Sequence, residues 1–109
     1  MDGIAPDPGP ASSDERREPR FEGRVGCHLV VGGARWRCWL RDLSLGGAGV
    51  EPAMPALLDQ TVVLTSPAFA IDPPLTGRVV NVAHRRTCVA FELGAEAEAA
   101  LARFLDDNT

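Results

Sequence analysis

Apolar and polar residues begin to alternate at Phe21, and the alternation holds through "VGCHLVVGGARWRCWLR" (25–41). A period of two is what a strand with one buried face requires, because successive side chains point to opposite sides. Gly32-Gly33 separates two such runs and predicts a hairpin, since a two-residue turn that follows strand twist needs positive φ at its centre. With those glycines at the turn, the pairs are Val31 with Ala34, Leu29 with Trp36, Cys27 with Cys38 and Val25 with Leu40. All are apolar and share one face, which is predicted to be core. The opposite face carries Arg24, His28, Val30, Arg35, Arg37, Trp39 and Arg41, a wet and basic surface.

The same signals continue downstream. "GAGVEP" (47–52) predicts a short third strand and "QTVVLTS" (60–66) a fourth. "LTGRVVNVA" (75–83) and "RTCVAFEL" (86–93) predict a second hairpin around His84-Arg85. Between them, "PAFAIDPP" (67–74) holds three prolines, which a central strand does not accept, so it reads as a loop. The period then changes. Ala97, Leu101, Phe104 and Leu105 form one stripe at helical spacing within 95–106, and the acids at its start suit the helix dipole. Six short antiparallel strands are too many for an open sheet. The fold class is mainly β: a small six-stranded antiparallel β-barrel with one C-terminal α-helix packed on it.

Composition sets the outer bounds. The 109 residues suffice for one domain with one modest core, and 45% apolar content is ordinary for a globular protein. No apolar run is long enough to span a membrane, and the acidic, Pro-rich start is the reverse of a secretory signal, so a cytoplasmic protein is expected. The three cysteines (Cys27, Cys38, Cys88) lie in apolar runs without a CxxC pair, and read as reduced, buried thiols. Residues 1–13 hold three prolines and only one large aliphatic, Ile4; such a segment cannot offset its ordering entropy and is expected to be a disordered arm. The domain is then 14–107, with residues 14–20 as a charged tether ahead of the barrel.

Charge is unevenly spread. The net charge is −4, yet residues 16–91 carry ten arginines against six acids, between two acidic ends. The folded body is therefore cationic and its ligands are expected to be anionic. Every basic residue is Arg and none is Lys.

Two short patterns give that charge a chemistry. Arg16-Arg17-Glu18-Pro19-Arg20 is an RxxxR box ahead of the first strand, and Asp42-Leu43-Ser44-Leu45-Gly46-Gly47 is a DxSxxG box after the second. Alone, each is weak. In this order around a hairpin, they resemble the signature of the PilZ domains, bacterial receptors for cyclic di-GMP, over about residues 14–105. A second RxxxR, Arg20 to Arg24, is set aside because Arg24 falls within the predicted strand.

The resemblance implies a stand-alone cyclic di-GMP receptor that needs no cofactor or metal, with Arg16, Arg17, Arg20, Asp42, Ser44, Gly46 and Gly47 at the ligand. On binding, the arginine tether would change conformation and signal to a protein effector. The residue chemistry fits. Arginine's fork matches a phosphate and the O6/N7 side of guanine, while a carboxylate accepts from guanine N1–H and N2–H. Ser44 adds a hydroxyl, and the glycines allow a sharp turn with close backbone approach.

The same residues also admit other readings. The arginines alone could be a solvated linker, and Asp42 with Ser44 a turn held by side-chain hydrogen bonds. Trp39 amid arginines could stack single-stranded nucleic acid, though a tryptophan so placed is more often covered. A triad of Ser44, Asp42 and a histidine lacks the strand–turn–helix setting of a nucleophile, and no catalytic constellation is present. The alternative function is a PilZ-like protein–protein adaptor in motility or pilus assembly that binds no nucleotide; intact boxes argue against it.

Overall fold

In the computed structural model, which describes residues 20–68, 71 and 73–108, the break at Gly32-Gly33 becomes a tight turn with φ of 54° and 90°. The expected arm at 1–13 and the tether up to residue 19, Arg16 and Arg17 included, lie outside the described residues. The turn joins β1 (Arg20–Val31) to β2 (Ala34–Ser44). Their pairing from Val25↔Leu40 to Val31↔Ala34 follows the predicted register. β3 (Gly47–Glu51), β4 (Thr61–Thr65), β5 (Leu75–Ala83) and β6 (Arg86–Phe91) follow, and α1 (Ala95–Asn108) ends the chain. The second hairpin turns at His84-Arg85, where both residues take positive φ without a glycine.

Strand order around the sheet is β1-β2-β3-β6-β5-β4, and β4 pairs with β1 to close a barrel. Every pairing is antiparallel. Inward positions of the strands fill the interior: Leu29, Leu40, Val50, Val62 and Val79 are fully buried. These are branched side chains of similar size, which pack a narrow barrel without a central void. Thr87 is the one buried polar residue among those described, and its hydroxyl is used twice. It accepts from the Met54 amide at 2.8 Å and donates to the Pro52 carbonyl at 3.0 Å, tying down the chain between β3 and the short 3-10 turn Pro55–Leu57.

α1 buries Ala97, Leu101 and Leu105, three of the predicted stripe. The fourth, Phe104, meets Phe21 of β1 with ring centroids 6.3 Å apart. That contact anchors the start of β1, one residue from Arg20. Cys27 and Cys38 face each other inside the barrel with Sγ atoms 3.3 Å apart. The hydrogen bond to Cys38 and then burial push the Cys27 thiol far above the ordinary range, so it stays protonated. All three cysteines are free thiols; Cys27 and Cys38 are buried as expected, and Cys88 is partly accessible.

Two expectations about faces need correction. Trp36 has the inward parity of β2 yet is 37% exposed. β2 pairs with β3 only from Trp39 onward, so the hairpin tip projects past β3 and, among the described residues, Trp36 has no strand beside it on that side. Arg41, predicted on the wet face, is half-buried, with its guanidinium 3.5 Å from the Glu51 carboxylate. No helix among the described residues is long and apolar enough to cross a membrane.

Candidate functional site

Ala34, Trp36, Cys38 and Leu40 share the inward side of β2, and unbroken alternation would carry Asp42 and Ser44 inside with them. The register prevents this. Leu40 pairs with Val50 but Asp42 pairs with Gly49, so Arg41 is an extra residue in β2 relative to β3. On the other side, Gly23 and Arg24 of β1 together oppose Arg41, between the pairs Glu22↔Asp42 and Val25↔Leu40. A bulge turns the following residue over. Leu43 therefore enters the core, fully buried, and Asp42 and Ser44 come out onto the barrel surface.

The two boxes sit differently from expectation. Asp42 and Ser44 are not in a turn after the second strand; they are the last outward residues of β2 itself, and only Leu45 and Gly46 bend the chain into β3. Arg20 is not in a tether ahead of the barrel but is the exposed first residue of β1, directly opposite Ser44. The antiparallel pairing itself thus brings the end of one box to the other. Arg16 and Arg17 lie outside the described residues.

The glycines divide by role. A Cβ on Gly47 would collide with the Val89 carbonyl of β6, so close strand approach excludes any side chain there. Gly46 is exposed with open space around it, and nothing in its surroundings demands glycine. The sequence singled out neither Gly49 nor Arg86, yet both complete the site. A Cβ on Gly49 would sit 2.7 Å from the Asp42 Oδ2, so the carboxylate lies across β3 in the space a side chain would fill. Beyond it, Arg86 Nη1 on β6 donates to Asp42 Oδ2 at 2.7 Å. The available signal for Gly49 was its position: outward in a strand, between inward Ala48 and Val50, where a side chain would otherwise be usual. Arg86 had none.

Glu22, Gly23, Arg24, Arg41, Asp42 and Arg86 line an open cleft of about 610 Å³. Arg24 stacks over the Trp39 ring at 4.1 Å from its centroid, so an arginine covers a tryptophan face that a base would need for stacking. Arg41 Nε is buried without a hydrogen-bond partner among the described residues. The Ser44 hydroxyl reaches the Gly47 carbonyl only at 3.5 Å, which leaves it almost uncommitted. The chemistry on offer is several planar cationic donors around one carboxylate acceptor, suited to an anion that also carries N–H donors. No group of three or more His, Cys, Asp or Glu side chains among the described residues could hold a metal ion.

A family model described as the PilZ domain matches residues 14–107. Solved structures agree on the fold. The PilZ domain of CeSA from a cellulose-synthesising bacterium superposes with a TM-score of 0.65 at 19% identity, covering 81% of this chain and 95% of that one. MrkH, described as a cyclic di-GMP-dependent transcription regulatory factor, gives 0.62 at 18% identity, covering 84% of this chain and 50% of that one. PlzA of Borreliella burgdorferi, solved in complex with cyclic di-GMP, gives 0.52 at 16% identity, over 89% of this chain and 45% of that one. No curated protein matches the sequence.

Proposed function

We propose, for a chain that belongs to the PilZ domain family, that it is a receptor for cyclic di-GMP held at the rim of the barrel between the arginine box and the Asp42–Ser44 corner. The observation that supports this most is the pairing of Arg20 with Ser44 and of Glu22 with Asp42, because it converges two boxes that are separate in sequence. In this reading Arg16, Arg17 and Arg20 grip phosphate and guanine. Asp42 accepts from a guanine, Ser44 adds its weakly engaged hydroxyl, Gly46 lies in the bend beneath, and Gly47 permits the close approach of β6. The chain itself catalyses nothing; it binds, and the change in its N-terminal lead-in is passed to a protein effector.

Magnitudes allow the assignment. A micromolar ligand needs about 8 kcal/mol net, beyond the cost of ordering the lead-in. Charge-assisted hydrogen bonds contribute roughly 1.5–3 kcal/mol each, so four or five of them reach this value and a single arginine does not.

The test is calorimetric titration with cyclic di-GMP at physiological salt, with GTP and cyclic di-AMP as controls. Arg16→Ala or Arg20→Ala is expected to abolish binding while the circular dichroism spectrum is unchanged. Undiminished affinity in both variants would refute the reading. A thermal shift gives a second readout, since ligand at a hundred times its Kd stabilises the fold by about 2.7 kcal/mol.

A further inference from the structure

Arg86 has no part in the reading just given, although it touches the residue at its centre. It is 44 residues from Asp42 in sequence, and the pairing of β3 with both β2 and β6 brings them together across Gly49. We propose that Arg86 is a guanine-reading residue, which acts with Asp42 as one unit and sets the specificity of the site for guanine over adenine. The inference rests on the cyclic di-GMP reading of the same site.

The chemistry runs from the base to the side chains. Guanine presents the O6 acceptor next to the N1–H and N2–H donors, whereas adenine presents a donor at N6 and an acceptor at N1. An ionised carboxylate only accepts. Asp42 alone can therefore take N1–H and N2–H but leaves O6 facing an anion, with no donor. A donor is required immediately beside the carboxylate, and Arg86 Nη1 stands 2.7 Å from Asp42 Oδ2. The guanidinium carries five N–H groups and this bond uses one, so donors remain for O6. Side by side, Arg86 and Asp42 offer a donor followed by acceptors, the row cytosine offers to guanine. Against adenine the same row sets donor on donor and acceptor on acceptor.

The other cleft arginines are less suited. Arg24 is spread over the Trp39 ring, and Arg41 is turned to Glu51. Arg86 is itself half-exposed and lines the cleft, so it can meet a base without rebuilding the barrel.

The experiment titrates the full chain and its Arg86→Gln and Arg86→Lys variants with three ligands. These are cyclic di-GMP, its analogue with 6-thioguanine (a weak acceptor replacing O6) and its inosine analogue (no N2 amine). The wild type should favour cyclic di-GMP over both analogues. Arg86→Gln should lose about tenfold or more in affinity for cyclic di-GMP, and its penalty for the thio analogue should shrink, while the inosine penalty, which Asp42 imposes, stays. A merely structural role would lower all three affinities together. Arg86→Lys, with one charge and no fork, should fall between, and it supplies the same comparison if the glutamine variant does not fold. Wild-type affinity in Arg86→Gln, or an undiminished thio penalty in the folded variants, would overturn this inference alone. A wild type that binds none of the three ligands would overturn the receptor reading and this inference with it.

Discussion

The two halves of the β1–β2 hairpin obey different rules. From Val25 to Leu40 the register is unbroken and the inward residues are apolar. From Arg20 to Arg24, opposite Arg41 to Ser44, the register slips by a residue, glycine appears and charges crowd. Regular pairing needs only alternation and a turn. The irregular half must deliver a carboxylate and a hydroxyl to the surface next to a third and a fourth strand. Alternation would have sent both inside, so the strand breaks rank at Arg41. On the proposed reading, stability and recognition are carried by different stretches of the same two strands, and substitutions should separate them.

The largest effect is expected in the regular half. Leu40→Ala empties the barrel interior and should cost about 2–5 kcal/mol in denaturant unfolding, with nucleotide affinity retained by whatever fraction stays folded. A loss well under this range would mean the interior is not tightly packed. Next, Gly49→Ala crowds the Asp42 carboxylate and should cost about 1–3 kcal/mol of stability, together with roughly tenfold or more in cyclic di-GMP affinity, about 1.4 kcal/mol. Intact affinity would show that the position of Asp42 across β3 is not needed. Gly33→Ala at the distal turn, where φ is 90°, should cost about 1–2 kcal/mol and leave binding alone; impaired binding would dissolve the separation of the two halves. The smallest effect is expected for Arg35→Ala on the exposed tip, within about 0.5 kcal/mol and silent in titration.

What could be read from the residues, and what could not, follows the same division. The hairpin register was legible because Gly32-Gly33 fixes the turn and the cross-strand pairs Val25–Leu40, Cys27–Cys38 and Leu29–Trp36 then fall on one apolar face. The helix was legible because Ala97, Leu101 and Leu105 repeat at its period. The exposure of Trp36 was hidden, because it depends on where β3 starts to pair rather than on β2 itself. The bulge at Arg41 was hidden for a related reason: an extra residue in one strand carries no mark of its own. Both boxes could be picked out as patterns, but their meeting at Arg20 and Ser44 needed the slipped register. Arg86 was invisible, since its proximity to Asp42 exists only once β3 has paired with β6, a strand far along the chain. Local chemistry is written in adjacent letters; contacts between strands distant in sequence are not.

The projecting hairpin tip has a consequence for the company this protein keeps. Along residues 34–38 one side of β2 pairs with no strand among the described residues, and such a stretch invites a second copy to zip on through backbone amides and carbonyls. Arg35 and Arg37 flank Trp36 there. A second copy laid along this stretch would press guanidinium against guanidinium, a repulsion that guards an open border of the sheet against self-association. Arg35 and Arg37 at the tip thus blunt an open border of the sheet through repulsion between like charges.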